Sequence, residues 1–574
     1  MGLSISRREV GAHRFDEQTH PLLQRIFAAR GIADETGLDL SLKQLLPFEK
    51  LLGIERASTL LADALQMHRK ILVVADFDAD GATSCAVAIR GLRAMGAECV
   101  EYLVPNRFDY GYGLTPEIVS LAEQRAPDLL ITVDNGISSF EGVSKARAAG
   151  IDVLVTDHHL PGDGLPEANA IVNPNQRGDS FPSKALAGVG VMFYVLLALR
   201  QELRERAWFT HNNLPEPKLA DLLDLVALGT VADVVPLDFN NRILVEQGLR
   251  RIRAGKTVAG IEALVNVAGI DRRRINSSDL GFSLGPRLNA AGRLSDMALG
   301  IECLVSDDRQ RCEDLAQKLH RLNTERREIE REMRKQAVDH LDALSIDEER
   351  LPAGLALFDP DWHQGVVGIL ASRVKDQCYR PCIAFARDGA GNLKGSGRSI
   401  PGLHLRDLLE RMASTHPELL SKFGGHAMAA GLSISETDYP QFAQLFSEYA
   451  AAFIDKHLLQ KTIETDGALD DSCFDLSLAE QLRVAAPWGQ AFPAPAFDNK
   501  FNVVSQRIVG ENHVKLKLQL LGGQRTLDAI AFNAVNEDWV NSSDTIQAVY
   551  RLETNDYRDV RSVQLLIEHA FPLA

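Results

Sequence analysis

Residues 71–81 read Ile-Leu-Val-Val-Ala-Asp-Phe-Asp-Ala-Asp-Gly, and this stretch decides the class of fold. Five apolar residues, Ile71 to Ala75, predict a strand buried on both faces of a parallel sheet. The aspartates that follow it, Asp76, Asp78 and Asp80, would lie at the carboxyl end of that strand. In open α/β sheets this is the edge where ligands bind. Gly81 lets the backbone approach an ion or a phosphate closely.

Three similar clusters follow along the chain, each at the end of an apolar run: Val133-Asp134-Asn135-Gly136, Thr156-Asp157-His158-His159 and Val231-Ala232-Asp233. Strands are predicted for Leu129 to Val133 and Ile151 to Val155, with helices over Thr83 to Met95 and Phe140 to Ala149. This alternation indicates an α/β fold with a doubly wound parallel sheet. One such cluster is typical of an ordinary turn or a calcium loop. Four in order on one α/β frame predict a single polynuclear metal site.

The residue types in these clusters favour Mn²⁺ or Mg²⁺, because a structural zinc prefers thiolates. Asp78 and Asp80 are two residues apart on a turn and can point around one cavity, while Asp134 is placed to bridge two ions. His158 and Asp233 would complete the shell of the second ion. Two divalent ions about 3.5–4 Å apart are the usual device for hydrolysing a phosphodiester.

The composition is that of a globular protein, with 574 residues, 45% hydrophobic and 24% charged. The net charge of −16 argues against a protein that coats nucleic acid non-specifically, but it permits an enzyme with basic groups gathered in one groove. Seven scattered cysteines fit a reducing cytoplasm. Neither an apolar stretch of about 18 residues nor a secretory h-region is present, so we expect a cytoplasmic protein.

Five regions are predicted: a helical lead-in (1–50), the metal-binding α/β domain (51–245), a helical connector (246–345), a second α/β domain (346–456) and a β-barrel (457–574). Ile301 to Leu351 contains neither Gly nor Pro, and Arg311 to Leu344 predicts one helix of about 50 Å, with two helices as the alternative. The second domain has strands at Leu355 to Phe358 and Cys382 to Ala386 around a helix, Gly365 to Lys375. The final region alternates polar and apolar residues in five short strands typical of an OB-like barrel: Phe501 to Ile508, His513 to Leu520, Thr526 to Phe532, Thr545 to Thr554 and Ser562 to Phe571.

The chain resembles the DHH phosphoesterase superfamily. The residues that carry this resemblance are Asp157-His158-His159, the Asp-x-Asp motif before them and Asp233 after them, together with Gly424-Gly425-His426, the signature of the domain that usually accompanies the first one. A closer resemblance is to the bacterial single-strand-specific 5′-to-3′ DNA exonucleases of this superfamily. It rests on Asn106-Arg107, 111–114, 231–236, 285–293, 362–368 and 396–399, and covers residues from about 50 to the C-terminus.

The resemblance implies a ligand set for two ions. Asp78 and Asp134 hold the first ion, with Asp76 as a possible additional ligand. The second ion is held by Asp80, Asp134, His158 and Asp233. Asp157 orients His158, and His159 faces the scissile phosphate. Some members carry a His at the position of Val74, so the shell of the first ion is incompletely specified.

The resemblance also implies a path for the nucleic acid. Ser396, Arg398 and Ser399 would recognise the 5′ end, since Arg engages a terminal phosphate bidentately. Gly424, Gly425 and His426 would let the substrate backbone pass. Further predicted contacts come from Arg287, which would reach the scissile phosphate, from His363 at a helix N-terminus (or as a cap), and from Asn289, Arg293, Arg107 and Tyr112. In the barrel, Lys500, Arg507, Lys515, Lys517 and Arg525 are candidates, while Trp488 and Phe492 are predicted to pack the barrel against its neighbour.

These observations favour a two-metal exonuclease that degrades single-stranded DNA from its 5′ end and releases 5′-mononucleotides. Two alternatives remain: another DHH phosphoesterase, acting on short oligonucleotides, cyclic dinucleotides or pyro- and polyphosphate, and a non-catalytic single-strand-binding protein. The resemblance further implies a role in DNA recombination and repair, a monomeric state, and contacts with single-strand-binding protein and a recombination helicase.

Overall fold

The structure is a computed structural model that describes residues 4–105, 110, 113–162, 164–343, 351–388, 391–420, 422–454, 462–557 and 560–573. The chain forms two compact units. The larger unit comprises Arg7–His320 with Thr465–Ala574, and the smaller unit comprises Met1–Ser6 with Arg321–Glu464. Within the described residues, no helix is long and apolar enough to cross a membrane.

The larger unit is built on the predicted parallel sheet. Its strands lie in the order Val100–Leu103, Ile71–Ala75, Leu129–Val133, Asp152–Thr156 and Ala170–Val172, all parallel. Ile71–Ala75 and Leu129–Val133 are buried along their whole length, as expected for strands covered on both faces. The predicted bounds of these two strands are confirmed, and the third is shifted by one residue.

Helices surround and extend this sheet. Their bounds are Pro21–Ala28, Ile54–Gln66, Ala79–Ala94, Pro116–Glu123, Phe140–Ala148, Gly188–Glu205, Trp208–His211, Leu223–Ala232, Phe239–Arg253, Ala259–Val267, Ser277–Asp279, Gly285–Leu294 and Ala298–Val305. Short 3₁₀ turns lie at Glu35–Leu38, Leu42–Gln44, Phe48–Lys50, Leu219–Leu222 and Arg272–Arg274, and a π turn at Leu280–Leu284.

The region predicted as a helical lead-in also contains a strand. Ser4–Arg7 pairs with Thr462–Thr465 in a two-stranded sheet, so this part of the lead-in is not helical. Such a strand is invisible in the sequence because Ser-Ile-Ser-Arg is short and its partner lies more than 450 residues away. The pairing is decided by tertiary contacts and not by local propensity.

One continuous helix, Arg309–Ala343, confirms the long helix and excludes the two-helix alternative. Its 35 residues correspond to a length of about 50 Å. The smaller unit contains a second sheet in the order Lys422–Gly425, Ala429–Ser435, Asn392–Arg398, Cys382–Arg387 and Leu355–Phe358. It also contains the helices Val367–Cys378, Leu405–Thr415 and Tyr439–Phe453, with a 3₁₀ turn at Glu436–Asp438.

The last part of the chain forms the predicted closed barrel of five strands. Its strands are Phe497–Val509, His513–Leu520, Thr526–Ala531, Thr545–Tyr557 and Val560–Pro572, and they are preceded by the 3₁₀ turn Asp471–Cys473 and the helix Leu476–Val484. Tyr550, Phe501 and Phe497 fill the interior, and the Tyr550 hydroxyl donates to Oδ1 of Asn499 at 2.8 Å. The barrel therefore has a packed core and no lumen.

Two helices that frame the candidate site approach each other closely at Gly248. A Cβ at this position of Phe239–Arg253 would lie 2.2 Å from the Leu223 carbonyl oxygen and 2.4 Å from the Ala227 Cβ. Glycine is therefore required for this helix pair to pack, because backbone atoms cannot move aside as a flexible side chain does.

We expect Gly248→Ala to destabilise the protein by about 1–3 kcal/mol through overpacking. The measurement is the denaturant midpoint of purified wild type and variant. Gly162→Ala is the control, since a Cβ at Gly162 would meet nothing within 4 Å. An unchanged midpoint for Gly248→Ala would contradict the packing described here.

Candidate metal centre

Three of the four clusters lie side by side at the carboxyl edge of the central sheet. Ala75 is in register with Val133, and Val133 with Thr156, so the residues that follow them, Asp76, Asp134 and Asp157, start from the same level of the sheet. Asp134 adopts a left-handed backbone conformation (φ 62°), which ends its strand sharply. The placement of these three clusters was predictable because parallel strands end at one edge.

The fourth cluster reaches the site by a different element. Asp233 follows a helix, Leu223–Ala232, and its N–H donates to the Gly229 carbonyl at 2.9 Å. The apolar run before Asp233 is therefore a helix and not a further strand of the sheet. The helix is almost entirely buried and almost entirely apolar, so its sequence carries no amphipathic period. Periodicity cannot distinguish such a helix from a buried strand.

The predicted ligands of the second ion converge on one atom, Nε2 of His158. It lies 3.2 Å from Asp134 Oδ1, 3.4 Å from Asp233 Oδ2 and 4.0 Å from Asp80 Oδ2. Asp80 and Asp134 are fully buried, and His158 and Asp233 are only slightly exposed. Asp80, His158 and Asp233 each offer a ligand atom within 4.8 Å of the others, which is the spacing of a metal-binding group.

A second group, Asp76, Asp78 and Asp134, satisfies the same spacing. Asp134 belongs to this group, and its Oδ1 also lies 3.2 Å from Nε2 of His158 in the first group. This position between the two groups is the one expected for a ligand that bridges two ions. Asp78 also caps the helix Ala79–Ala94, because its Oδ1 accepts from the Gly81 N–H at 3.0 Å. The Asp76 Oδ1 accepts from its neighbour Phe77 at 2.8 Å.

The orientation of Asp80 comes from a helix that the sequence did not connect with the site. Its two carboxylate oxygens accept from the backbone N–H groups of Gly188 and Val189, at 2.7 and 2.9 Å. These groups begin the helix Gly188–Glu205, whose N-terminus favours a negative charge. Asp80 is therefore held in one orientation while its remaining lone pairs stay available to a cation.

Glycines allow the backbone to approach the carboxylates. A Cβ at Gly188 would lie 2.7 Å from the Asp134 Oδ1, and one at Gly229 would lie 2.9 Å from the Asp80 Oδ1. Gly81 is equally restricted, since its Cβ would lie 2.4 Å from the Asp76 carbonyl oxygen. Gly81 was predicted; Gly188 and Gly229 were missed, because neither stands beside a recognisable motif.

Crowding of like charges perturbs the acids strongly. Burial, and then the charge of Asp78, raise the pKa of Asp80 to about 7. Burial together with the neighbouring carboxylates, above all Asp80 and Asp78, raises the pKa of Asp134 and of Asp233 well above the ordinary range. Without a counter-charge the cluster therefore holds protons near neutral pH. Divalent cations would displace those protons.

The structure corrects the role predicted for Asp157. Its Oδ1 accepts from Nδ1 of His159 at 2.7 Å and from the backbone N–H groups of His158 and His159, at 2.7 and 3.0 Å. Asp157 thus orients the ring of His159. Its hydrogen bond with His158 is to the backbone N–H and not to the ring. Its own position is secured by the N–H of Ile137, which donates to Oδ2 at 2.9 Å.

The hydrogen bond between His159 and Asp157 also shifts the pKa of both groups. Burial opposes the charged form of His159, but its hydrogen bond with Asp157 and the charges of Asp157, Asp76 and Asp78 raise the pKa of His159 to about 9. Burial also acts against the charged form of Asp157, yet the hydrogen bond and charge of His159 lower the pKa of Asp157. In the metal-free protein His159 is therefore a cation at neutral pH. Its nitrogens also lie close enough to Asp134 and His158 to count as a ligand group.

The segment with Arg287, Asn289 and Arg293 lies on the helix Gly285–Leu294, in the same unit as the acids. Asn289 supports the metal loop, because its Oδ1 accepts from the Ala79 N–H at 2.8 Å. Gly292 packs against the same loop, since a Cβ there would lie 1.9 Å from the Phe77 carbonyl oxygen. Arg287 donates through Nη1 to the Ser283 carbonyl at 2.6 Å. Arg293 is half-buried near the end of this helix.

The smaller unit brings Arg398 and Ser396 to the N-terminus of the helix Val367–Cys378. A Cβ at Gly368 would lie 3.1 Å from the Arg398 Nη2 and 2.9 Å from the Ser396 Oγ. Nη1 of Arg398 donates to the Gly397 carbonyl at 2.8 Å and to Ser396 Oγ at 3.1 Å. No acidic partner of Arg398 occurs within the described part of the chain, and burial lowers its pKa. An arginine beside a helix N-terminus is an anion site.

Other predicted residues of this unit have structural contacts. His363 caps the turn before the same helix, with Nδ1 accepting from the Gly365 N–H at 3.0 Å. Ser399 is 1% exposed and its hydroxyl donates to the Leu403 carbonyl at 2.8 Å, so the predicted contact of Ser399 with a 5′ end is wrong. Gly424 and Gly425 end a strand, and the exposed His426 donates its N–H to the Ala429 carbonyl at 2.8 Å. Arg107 and Tyr112 lie outside the described residues.

The donor set fits two Mn²⁺ or Mg²⁺ ions. Five carboxylates and one or two imidazoles, arranged in groups that overlap at Asp134 and at His158, provide the hard ligands that these ions prefer. No thiolate belongs to the groups, which excludes the typical structural zinc site from this cluster. Asp76, Asp78 and Asp134 would hold one ion, and Asp80, Asp134, His158 and Asp233 the other.

Family models match three parts of the chain. The "DHH family, N-terminal domain" matches residues 70–230, the "DHHA1 domain" residues 352–452 and the "RecJ OB domain" residues 465–569. Residues 1–69 lie outside these matches.

Similar proteins cover the whole chain. The single-stranded-DNA-specific exonuclease RecJ of Escherichia coli is 51% identical over 100% of this chain and 99% of its own length. The RecJ of Dickeya dadantii is 53% identical over 99% of both chains. The crystal structure of RecJ from Thermus thermophilus in complex with Mn²⁺ has a TM-score of 0.80 and 29% identity, covering 96% of this chain and 76% of that one. On the strength of these full-length similarities, the chain belongs to the RecJ family of DHH proteins.

Proposed function

We propose that this chain is a divalent-metal-dependent exonuclease that hydrolyses single-stranded DNA from its 5′ end and releases 5′-mononucleotides. The observation that carries the proposal is the pair of adjacent ligand groups, Asp76 with Asp78 and Asp134, and Asp80 with His158 and Asp233, in which Asp134 also lies 3.2 Å from His158. Membership of the RecJ family, whose named relatives are single-stranded-DNA-specific exonucleases, supports DNA as the substrate. The crystal structures of RecJ with Mn²⁺ and with Mg²⁺ support the choice of ions.

When bound, the two ions supply water activation and stabilisation of the leaving oxygen. The protein's own contribution is to hold the carboxylates in place before substrate arrives, through Gly188 and Val189 at Asp80 and through the cap at Asp78. The Nδ1–H of His159 donates a hydrogen bond to Asp157, so Nε2–H is the donor left for a phosphate oxygen. A cationic imidazole fixed in this way stabilises the negative charge that develops on the phosphate.

Recognition of the 5′ end is assigned to Arg398 and Ser396. A buried guanidinium at a helix N-terminus can bind a terminal phosphate with two hydrogen bonds. The absence of an acidic partner among the described residues leaves the charge of Arg398 available for such a ligand. A site that binds the 5′ end in this way would make the enzyme an exonuclease. A terminal phosphate carries a second negative charge, which an internal phosphodiester lacks, so the site would favour the end of the strand.

The barrel offers a surface that suits an unpaired strand. Arg507 and Lys515 are cross-strand neighbours, and Val509 with His513 is the second pair beyond them toward the end of the strands. The ring of Phe532, which is 55% exposed, lies edge-on to His513 at 5.1 Å. Basic and aromatic side chains together bind phosphates and stack bases without reading sequence. Lys517 is paired with Asp528, and Arg525 donates to the Phe474 carbonyl, so these two are weaker candidates.

The alternatives make different predictions for substrate. Another DHH phosphoesterase would prefer pyrophosphate, cyclic dinucleotides or very short oligonucleotides, and a non-catalytic binder would degrade none of them. Contacts with single-strand-binding protein and a recombination helicase, the monomeric state and a cytoplasmic location belong to the proposal and follow from the family resemblance alone.

Asp134→Asn should abolish hydrolysis, because the bridging carboxylate loses its charge without changing its shape. We expect a loss of at least about 100-fold, since even residues that only orient metal ligands cost 10–100-fold. The assay follows 5′-labelled single-stranded DNA with Mn²⁺ or Mg²⁺, with duplex DNA and pyrophosphate in parallel. The control is Asp152→Asn, which alters a half-buried pair with Arg69 at the opposite end of its strand. Preferential cleavage of duplex or pyrophosphate by wild type would refute the proposal.

Metal binding should stabilise the protein in a pH-dependent way. Because the pKa of Asp80 is raised to about 7, the folded metal-free protein keeps a proton that the unfolded chain has released. Stability of the metal-free protein should therefore fall as pH rises from about 4 to 7. Thermal unfolding at pH 5.5 and 7.5, with and without Mn²⁺, measures this. Mn²⁺ should raise the Tm more at pH 7.5, and an equal rise at both pH values would contradict the assignment.

Arg398→Met should remove the preference for a phosphorylated 5′ end. We expect KM to rise for 5′-phosphorylated strands by about 10-fold or more, since a hydrogen bond to a charged group contributes about 1.5–3 kcal/mol. KM for 5′-hydroxyl strands should stay the same. Arg387→Met, on a neighbouring strand but paired with Glu436 at 2.6 Å, is the matched control. Equal effects on both kinds of strand would show that Arg398 does not bind the end.

A further inference from the structure

The metal ligand Asp233 is followed by a strained loop. Val234 has a left-handed backbone conformation (φ 62°) and its side chain is 63% exposed. A β-branched residue rarely adopts this conformation, so the loop persists only if its surroundings hold it. We call residues 233–237 the ligand loop. What fixes its far end therefore influences where the Asp233 carboxylate lies.

The far end of the ligand loop is bound by the segment that precedes the barrel. The Leu237 N–H donates to the Gln490 carbonyl at 2.8 Å, and Leu237 is 3% exposed. The contact is close, because a Cβ at Gly489 would lie 2.6 Å from Leu237 Cδ1. We call residues Trp488–Phe492 the linker turn. It closes on itself through mutual backbone hydrogen bonds between Gly489 and Phe492, at 2.8 and 3.1 Å.

A buried arginine joins the linker turn to the ligand loop. The guanidinium of Arg242 lies 4.3 Å from the ring centroid of Phe492, and its Nη1 donates to the Leu237 carbonyl at 3.1 Å. Arg242 is only 8% exposed, and no carboxylate within 4 Å of it occurs in the described part of the chain. A desolvated cation over an aromatic ring gives a stronger contact than an exposed one. Arg242 thus contacts both segments at once.

A second buried arginine holds the linker turn from the other side. Arg30 donates through Nε to the Pro493 carbonyl at 2.9 Å and lies 5.3 Å from the Trp488 ring. Its side chain is 2% exposed and forms a bidentate pair with Asp466, at 2.7 and 2.9 Å. Trp488 in turn stacks on Phe492, with centroids 5.2 Å apart. Arg30 belongs to the N-terminal region that no family model matches.

We propose that Arg242, acting through the linker turn, is a positioning residue for the metal ligand Asp233, and that Arg30 supports it from the N-terminal region. The inference rests on the proposed metal centre. According to this inference, the linker turn and the N-terminal region contribute to catalysis because they maintain the geometry of the ligands of the second ion. Residues that orient metal ligands typically change metal affinity about 10–100-fold when altered.

The test measures metal binding directly, by titrating metal-free protein with Mn²⁺ and following the free ion by electron paramagnetic resonance. We expect Arg242→Met to weaken one class of Mn²⁺ sites by about 10-fold. This should be the class that Asp233→Asn abolishes. Arg250→Met is the matched control on the same helix, since Arg250 is 60% exposed and pairs with Glu246. Arg242→Lys should recover part of the affinity, because it keeps a cation over Phe492.

Three outcomes would overturn the inference. One is a folded Arg242→Met protein with Mn²⁺ affinity within twofold of wild type, and another is an equal loss in Arg250→Met. If Arg242→Met does not fold, Gly489→Ala replaces it in the titration. The added methyl group displaces Leu237 while every polar contact is kept. The third outcome that would overturn the inference is an unchanged Mn²⁺ affinity in Gly489→Ala. The titration does not depend on nuclease activity. A wild type that binds two Mn²⁺ ions but leaves DNA intact would refute the proposed function alone.

Discussion

The structure depends on one electrostatic constraint: several carboxylates must stay close together in a buried site. Asp80, Asp134 and Asp233 surround one imidazole nitrogen. Their pKa values rise because they are buried and because neighbouring carboxylates, among them Asp78, add their charge. Left to themselves these groups would take up protons or separate. Two divalent cations would remove the repulsion, so the cluster is suited to bind metal and destabilises the protein when metal is absent.

Much of the surrounding fold serves to keep that cluster together. A helix N-terminus binds Asp80, glycines at 188 and 229 admit the backbone, and Asp134 and Val234 adopt unusual backbone conformations. Strain of this sort is found at functional sites, where the rest of the structure enforces it. The linker turn and its two arginines extend this support to the N-terminal region and the barrel, which lie far from the metal motifs in sequence.

Negative and positive charge are concentrated in different units, one suited to bind cations and the other to bind phosphate. The larger unit concentrates negative charge for cations, whereas the smaller unit presents the Arg398 guanidinium at a helix N-terminus. An overall charge of −16 therefore does not conflict with a nucleic-acid substrate. Positive charge is needed only where phosphates bind, and a few buried or paired basic groups are sufficient there.

The two α/β sheets, the long helix, the barrel and the carboxylate–histidine cluster could be predicted from the amino-acid sequence, because each is marked by a local pattern of residues. The folded structure was needed to show that Asp233 follows a helix and that Asp157 binds the ring of His159. It was also needed to show that Ser399 is buried, that Gly188 begins the helix holding Asp80, and that Ser4–Arg7 is a strand. Each of these depends on a partner distant in the chain, or on a helix without a polar face, and neither leaves a periodic signal.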